Sequence, residues 1–158
     1  PNNDISISFS LLLNLASVCH AEDSQIIWGF IEKYSPGSMN SKNKFLEQMV
    51  NFSVSYYNDM IKPNKVYRAP NYIEKKALKE LALGLGKLTN SSTTEDIQKL
   101  VFSIGKENNF DNLRDWFKCL YEILLGQSDG PRMGSFIALF GISQTINLIN
   151  DALLGNLK

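Results

Sequence analysis

Apolar residues recur along this chain at spacings of three and four, and strictly alternating runs are scarce, so the pattern predicts helices throughout. The first spans about residues 5 to 20, with Ile5, Phe9, Leu12, Leu13 and Ala16 on one face and Asp4 as its N-cap. A second begins after Asp23, carries Ile26, Ile27, Phe30, Ile31 and Tyr34, and stops at Pro36-Gly37 before a loop through Ser41. The third is the longest: Phe45, Leu46, Met49, Val50, Ser53, Val54, Tyr57, Met60 and Ile61 form one stripe that closes before Pro63.

Residues 64 to 71 lack periodicity and read as a connector. A fourth helix, about 72 to 88, places Leu78, Leu81, Leu85 and Leu88 in a row; its Gly84 and Gly86 cost about 1 kcal/mol each relative to Ala unless they permit close packing. After a polar loop over 89–94, Ser92 and Glu95 have capping-box spacing ahead of Ile97, Leu100, Val101 and Ile104. Asp111 or Asn112 starts a helix with Leu113, Phe117, Leu120 and Leu124 on one face, ended by Gly126. Short helices at about 135–140 and 143–154, capped by Ser135 and Ser143, finish the chain. Seven or eight helices with short connections predict an all-α bundle or cage. With no composition break or internal repeat, residues 1–158 are expected to form a single domain.

Charge narrows the possible partners. Sixteen Lys+Arg balance sixteen Asp+Glu, so nucleic-acid binding would require a local basic patch. Neither Phe9–Val18 nor Met133–Ile142 approaches the roughly 20 apolar residues of a membrane span, and the start lacks the features of a signal peptide. No membrane association is expected, and two distant cysteines fit a reducing cytoplasm. The first residue is Pro1; a fragment of a longer chain would begin so, as would a chain with its initiator or a tag removed.

The residue types of common active sites are missing. Cys19 and His20 are neighbours and point about 100° apart on a helix, so they do not pair as nucleophile and base. One histidine and two separated cysteines fall short of the usual zinc ligand sets. Gly84-Leu85-Gly86-Lys87 lacks phosphate-loop spacing and sits within a helical pattern. Glu22-Asp23 and Glu95-Asp96 lie at helix starts, where acids complement the dipole.

Two regions retain binding potential. In the first, Tyr56 and Tyr57 lead to Lys62, Lys65, Tyr67 and Arg68, a basic-aromatic mixture able to contact phosphates and stack on bases. Tyr57 also fits the core, and Lys62 also fits a helix C-terminus. In the second, Arg114 and Lys118 share a helix face, which favours a negatively charged partner. The glycine-rich segment 126–134 that follows carries Arg132, and either a packed corner or an anion site fits it.

These residues also bear a resemblance. Ile7-Ser8-Phe9-Ser10-Leu11-Leu12-Leu13-Asn14-Leu15, Ala21-Glu22-Asp23 and Trp28-Gly29-Phe30-Ile31 are similar to the C-terminal part of class I lysyl-tRNA synthetases. So are Tyr56-Tyr57 with Lys62-Pro63, and Tyr67-Arg68-Ala69-Pro70. The pattern continues with Arg114-Asp115-Trp116-Phe117-Lys118, Leu124-Leu125-Gly126-Gln127 and Gly130-Pro131-Arg132-Met133-Gly134-Ser135-Phe136. The resemblance runs in order along nearly the whole chain and is least distinctive over 71–110.

It implies an α-helical cage that binds the anticodon stem and loop of lysine tRNA, next to an N-terminal catalytic domain that uses ATP with Mg. That domain's His-Ile-Gly-His-like and Lys-Met-Ser-Lys-Ser motifs are absent, and Ser38-Met39-Asn40-Ser41-Lys42 does not replace them. The chain is therefore expected to be non-catalytic and to need no cofactor of its own. Unstacked anticodon bases can be read by their edges and stacked on aromatics. Lys62, Lys65, Arg68, Arg114, Lys118 and Arg132 are the candidate phosphate or base contacts, and Tyr67 and Trp116 the candidate stacking residues; core packing is the alternative for Trp116. The rival reading is a helical protein-interaction module without RNA binding. Clustering of the six cations would favour RNA, and their dispersal the module.

Overall fold

The computed structural model describes residues 7–21, 23–37, 44–89, 92–110 and 112–157. Among them are eight α-helices, two π-helical turns and one 3-10 turn, with no strand, so the all-α expectation holds. The Asp4 cap, Glu22, the segment 38–42 and the alternative start at Asp111 lie outside the described residues. Packing divides the chain into two compact units, residues 1–64 and 65–158. The division falls within the connector, where a change of packing partners leaves no mark on composition.

The first unit contains α1 (Phe9–Cys19), α2 (Ser24–Tyr34) and α3 (Lys44–Tyr56). Ser8 caps α1 by accepting from the Leu11 N–H at 3.2 Å, and Asp23 caps α2 by accepting from the Gln25 N–H at 2.9 Å. Helix α3 packs on both others, and Leu12, Leu15, Ile27, Trp28, Ile31, Val50 and Tyr57 are buried. His20 ends α1 in the left-handed region (φ 51°), where its N–H and that of Ala21 reach back to the last carbonyls. The third helix is not uniform to Ile61 as its periodicity predicts. It widens into a π turn over Tyr57–Ile61 and tightens into a 3-10 turn over Lys62–Asn64. There the Asn58 amide donates to the Val54 carbonyl at 3.0 Å, the acceptor that regular α-helix would assign to the Asn58 backbone N–H.

The second unit contains α4 (Tyr72–Gly86), α5 (Thr94–Glu107), α6 (Leu113–Leu120), α7 (Met133–Phe140) and α8 (Ile142–Leu153), with a π turn over Tyr121–Leu125 extending α6. Helix α4 packs on α5 and α8, while α5 packs on α6 and α7. The core includes Leu78, Leu81, Leu85, Ile97, Val101, Leu120, Phe136, Ile137 and Ile149. Gly84 permits close packing: a Cβ there would lie 2.8 Å from Leu100 Cδ1, whereas none lies near Gly86. Leu88 falls beyond the end of α4.

Three predicted caps are displaced. The capping box before α5 is formed by Thr93 and Asp96, because the Ser92 hydroxyl accepts from the Thr89 N–H at 3.1 Å instead. Helix α7 begins at Met133 without a local side-chain cap; Gln98 of α5 fills that role, accepting from the Gly134 N–H at 2.6 Å. Helix α8 begins at Ile142 after Gly141 (φ 109°), a backbone conformation that leaves Ser143 inside the helix. The two apolar helices α7 and α8 meet at a 106° bend, and no single described helix is long and apolar enough to cross a membrane.

Candidate functional site

The second unit assembles its most distinctive surface around α6 and the π turn that extends it. Arg114, Phe117, Lys118 and Tyr121 stand at i, i+3, i+4 and i+7, so they share one helical face. The opposite face buries Trp116, Cys119 and Leu120. Asn112 caps the helix by accepting from the Arg114 N–H at 2.9 Å, which fixes where the stripe begins.

The segment between the π turn and α7 folds back onto this stripe. Gly126 adopts φ 71°, and a Cβ there would lie 2.6 Å from Lys65 Cγ, so glycine serves both the turn and the approach of the connector. The Val66 N–H donates to the Gly126 carbonyl at 3.0 Å and the Arg68 N–H to the Glu122 carbonyl at 3.3 Å, using acceptors at the helix end. Tyr121 packs so closely on Gly130 that a Cβ would lie 2.7 Å from its ring, and its hydroxyl donates to the Pro131 carbonyl at 2.8 Å. Burial holds the Tyr121 phenol above its ordinary pKa, with the Asp129 charge adding to the effect.

A cleft of about 490 Å³ results. Arg114, Lys118 and Arg132 line it together with Phe117, Tyr121 and Met133, and Asp129 is the acid among the lining residues. Arg132 is steered by an exposed ion pair with Glu95 at 2.9 Å, Lys118 Nζ lies 4.0 Å from Glu122, and Arg114 has no acidic partner among the described residues. Such a surface suits a polyanion that presents a flat ring, through charge along the rim and aromatic faces beside it.

The other sequence-predicted residues are placed differently. Lys62 lies exposed in the 3-10 turn of the first unit. Lys65 and Tyr67 interact with each other, Nζ lying 5.3 Å from the ring centroid. Arg68 is a structural clamp: its fork binds Glu74 at 2.9 and 3.1 Å, while Nε binds Glu122 at 2.8 Å. Those contacts raise its pKa further, so its charge is balanced by two carboxylates. Burial alone would raise the Glu74 pKa, but the Arg68 and Asn71 hydrogen bonds hold it below the ordinary carboxylate value.

Trp116 corrects the stacking assignment. It is fully buried, its Nε1–H donates to the Val101 carbonyl at 2.9 Å, and its ring lies 5.1 Å from Phe110. Packing claims it because position 116 points to the face opposite Arg114 and Lys118. Phe117 and Tyr121 are the aromatics that reach the cleft. Periodicity placed Phe117 with the apolar residues; the signal for both was the shared spacing with the two cations.

The described residues also constrain other chemistry. No group of three His, Cys, Asp or Glu among them is arranged to hold a metal ion. Burial pushes the Cys19 thiol up to about 12; Cys119 also reaches about 12, through burial and then the neighbouring Glu74 charge. Neither thiol is an activated nucleophile. His20 Nδ1 lies 3.5 Å from the Tyr57 hydroxyl, at the helix end expected for it.

No protein-family model matches the chain. It is similar to the lysine–tRNA ligase of Rickettsia bellii, 46% identical over 147 residues, which cover 93% of this chain and 28% of that protein. It is likewise 46% identical over 157 residues to the lysine–tRNA ligase of Roseobacter denitrificans, covering 99% of this chain and 30% of that protein. The lysine–tRNA ligase of Rickettsia conorii is 42% identical over 147 residues, covering 93% and 28% respectively. The chain thus spans less than a third of the length of these curated relatives.

Proposed function

We propose that this chain is the anticodon-binding region of a class I lysine–tRNA ligase and that its second unit contacts the anticodon stem and loop of lysine tRNA. The observation that carries this reading is the convergence of Arg114, Lys118 and Arg132 on one cleft beside Phe117 and Tyr121. Backbone phosphates would meet the three cations, and an unstacked base would lie against the aromatic side chains. The similarity to lysine–tRNA ligases supports lysine tRNA as the RNA, and the order of motifs along the chain supports the anticodon-binding end. Aminoacylation with ATP and Mg would belong to an N-terminal catalytic domain, a protein partner of this region.

Titration of the chain with lysine tRNA and with a transcript altered only in its anticodon, at several salt concentrations, tests the proposal. Tighter binding of the unaltered tRNA, weakening as salt rises, is the expected result. Equal affinity for both transcripts at every salt concentration overturns anticodon reading.

A second reading, a helical module for protein partners, is favoured by exposed Phe45 and Phe52 on α3 and by Met60 in the following turn. It requires that charge removal at Arg114, Lys118 and Arg132 leave tRNA affinity unchanged.

A further inference from the structure

Helix α4 carries a second basic surface, built from residues outside the cleft. At about 100° per residue, Tyr72, Lys75, Lys76, Lys79, Leu83 and the C-cap residue Lys87, whose backbone is still right-handed helical, fall within an arc of about 120° on one side of the helix axis. The other side of α4 buries Ala77, Leu78, Leu81 and Leu85. All six of these arc residues are exposed, as is Gly86, which shares the arc, and no acid lies among them. The helix has two acids: Glu74 holds Arg68 away from the arc, and Glu80, just off its edge, pairs with the arc's own Lys76 at 3.0 Å. Asn108 binds Lys76 as well, through Oδ1 at 3.0 Å. Lys75, Lys79 and Lys87 have no acidic partner among the described residues.

We infer that this face of α4 is a sequence-independent contact for an RNA backbone, with Lys75, Lys79 and Lys87 meeting phosphates and Tyr72 free to stack. The inference rests on the RNA-binding reading above and adds a surface to it. Three uncompensated positive charges stand out in a chain whose formal charges sum to zero. They spread over about 18 Å of helix, enough to follow several phosphates instead of one small anion. Tyr72 is 85% exposed, so its ring faces are accessible. A lipid surface fits less well: Tyr72 and Leu83 are the arc's apolar members and stand about 16 Å apart, leaving no continuous strip to insert.

The test compares the chain with K75Q/K79Q/K87Q and K75R/K79R/K87R variants, with fold checked by circular dichroism. Each is titrated with a mixed-sequence 20-base-pair RNA duplex, with lysine tRNA and with anionic phosphatidylglycerol vesicles. Expected is an affinity loss for both RNAs of about tenfold in the glutamine variant, a salt slope shallower by about 2–3, and retention in the arginine variant. Discrimination between lysine tRNA and the anticodon-altered transcript should remain in the glutamine variant. Unchanged duplex affinity and slope, absence of duplex binding by the unmodified chain, or a lysine-dependent preference for vesicles over duplex each overturns the inference. Lost duplex affinity without anticodon discrimination in the unmodified chain would instead overturn the anticodon reading and leave the α4 contact standing.

Discussion

Arg68 and Glu74 meet through both arms of the guanidinium fork, Nη1 at 2.9 Å from Oε1 and Nη2 at 3.1 Å from Oε2. Glu74 also closes the capping box of α4 by accepting from the Asn71 N–H at 2.8 Å. One carboxylate therefore fixes a helix start and the extended segment that leads into it. Because Arg68 also grips Glu122, the same clamp reaches the π turn beside the cleft.

Replacing Glu74 with Gln should lower stability by about 1–3 kcal/mol, a charge-assisted bidentate interaction discounted for the partial exposure of Arg68. The loss should appear as a lower urea midpoint at unchanged m-value. Glu74 has a folded pKa below its ordinary 4.5, so its contribution is present above that value and lost as pH falls through the folded pKa. The Glu74→Gln variant should accordingly show a flatter loss of stability on the acid side.

Positions 116 and 117 should separate packing from binding. Trp116→Phe removes the hydrogen bond to Val101 and leaves a void, costing about 1–3 kcal/mol. RNA affinity per folded molecule should be unchanged. Phe117→Leu should preserve most of the stability yet weaken lysine-tRNA binding by about fivefold or more, through loss of stacking. Thermal melts paired with binding titrations decide between the two outcomes. Equal binding defects in both variants would contradict this assignment of roles.

Two glycines should respond in opposite directions to alanine. At Gly134 a new Cβ would lie 2.5 Å from the Thr94 carbonyl oxygen, forcing α5 and α7 apart at a cost of about 1–3 kcal/mol. At Gly86 nothing lies within 4 Å and φ is not positive, so alanine should stabilise by about 0.5 kcal/mol through helix propensity. Chemical denaturation of the two single variants reads both signs.

The thiols should be protected in the folded chain. With both Cys19 and Cys119 pushed up to about 12, iodoacetamide should alkylate the native protein at pH 8 about 10²–10³ times more slowly than the chain in urea. Mass spectrometry of timed quenches measures the ratio. Rapid labelling of Cys119 in the native state would mean that α6 opens readily.

By itself the sequence determined the helical character of the chain, the helix start after Asp23, a further start at Asp111 or Asn112, the turn at Gly126 and the shortage of catalytic residue types. Each is a local property, set by residues within one or two turns of one another. It also placed Arg114 and Lys118 on a common face. Tertiary structure decided which residues were available to a ligand. Arg68 is claimed by Glu122, 54 positions away, and Trp116 by the carbonyl of Val101. Arg132 reaches the cleft because Tyr121 and Gln98 hold the preceding loop and the start of α7. Helical spacing reports which direction a side chain leaves its own helix; it carries no information about the distant group that meets it there.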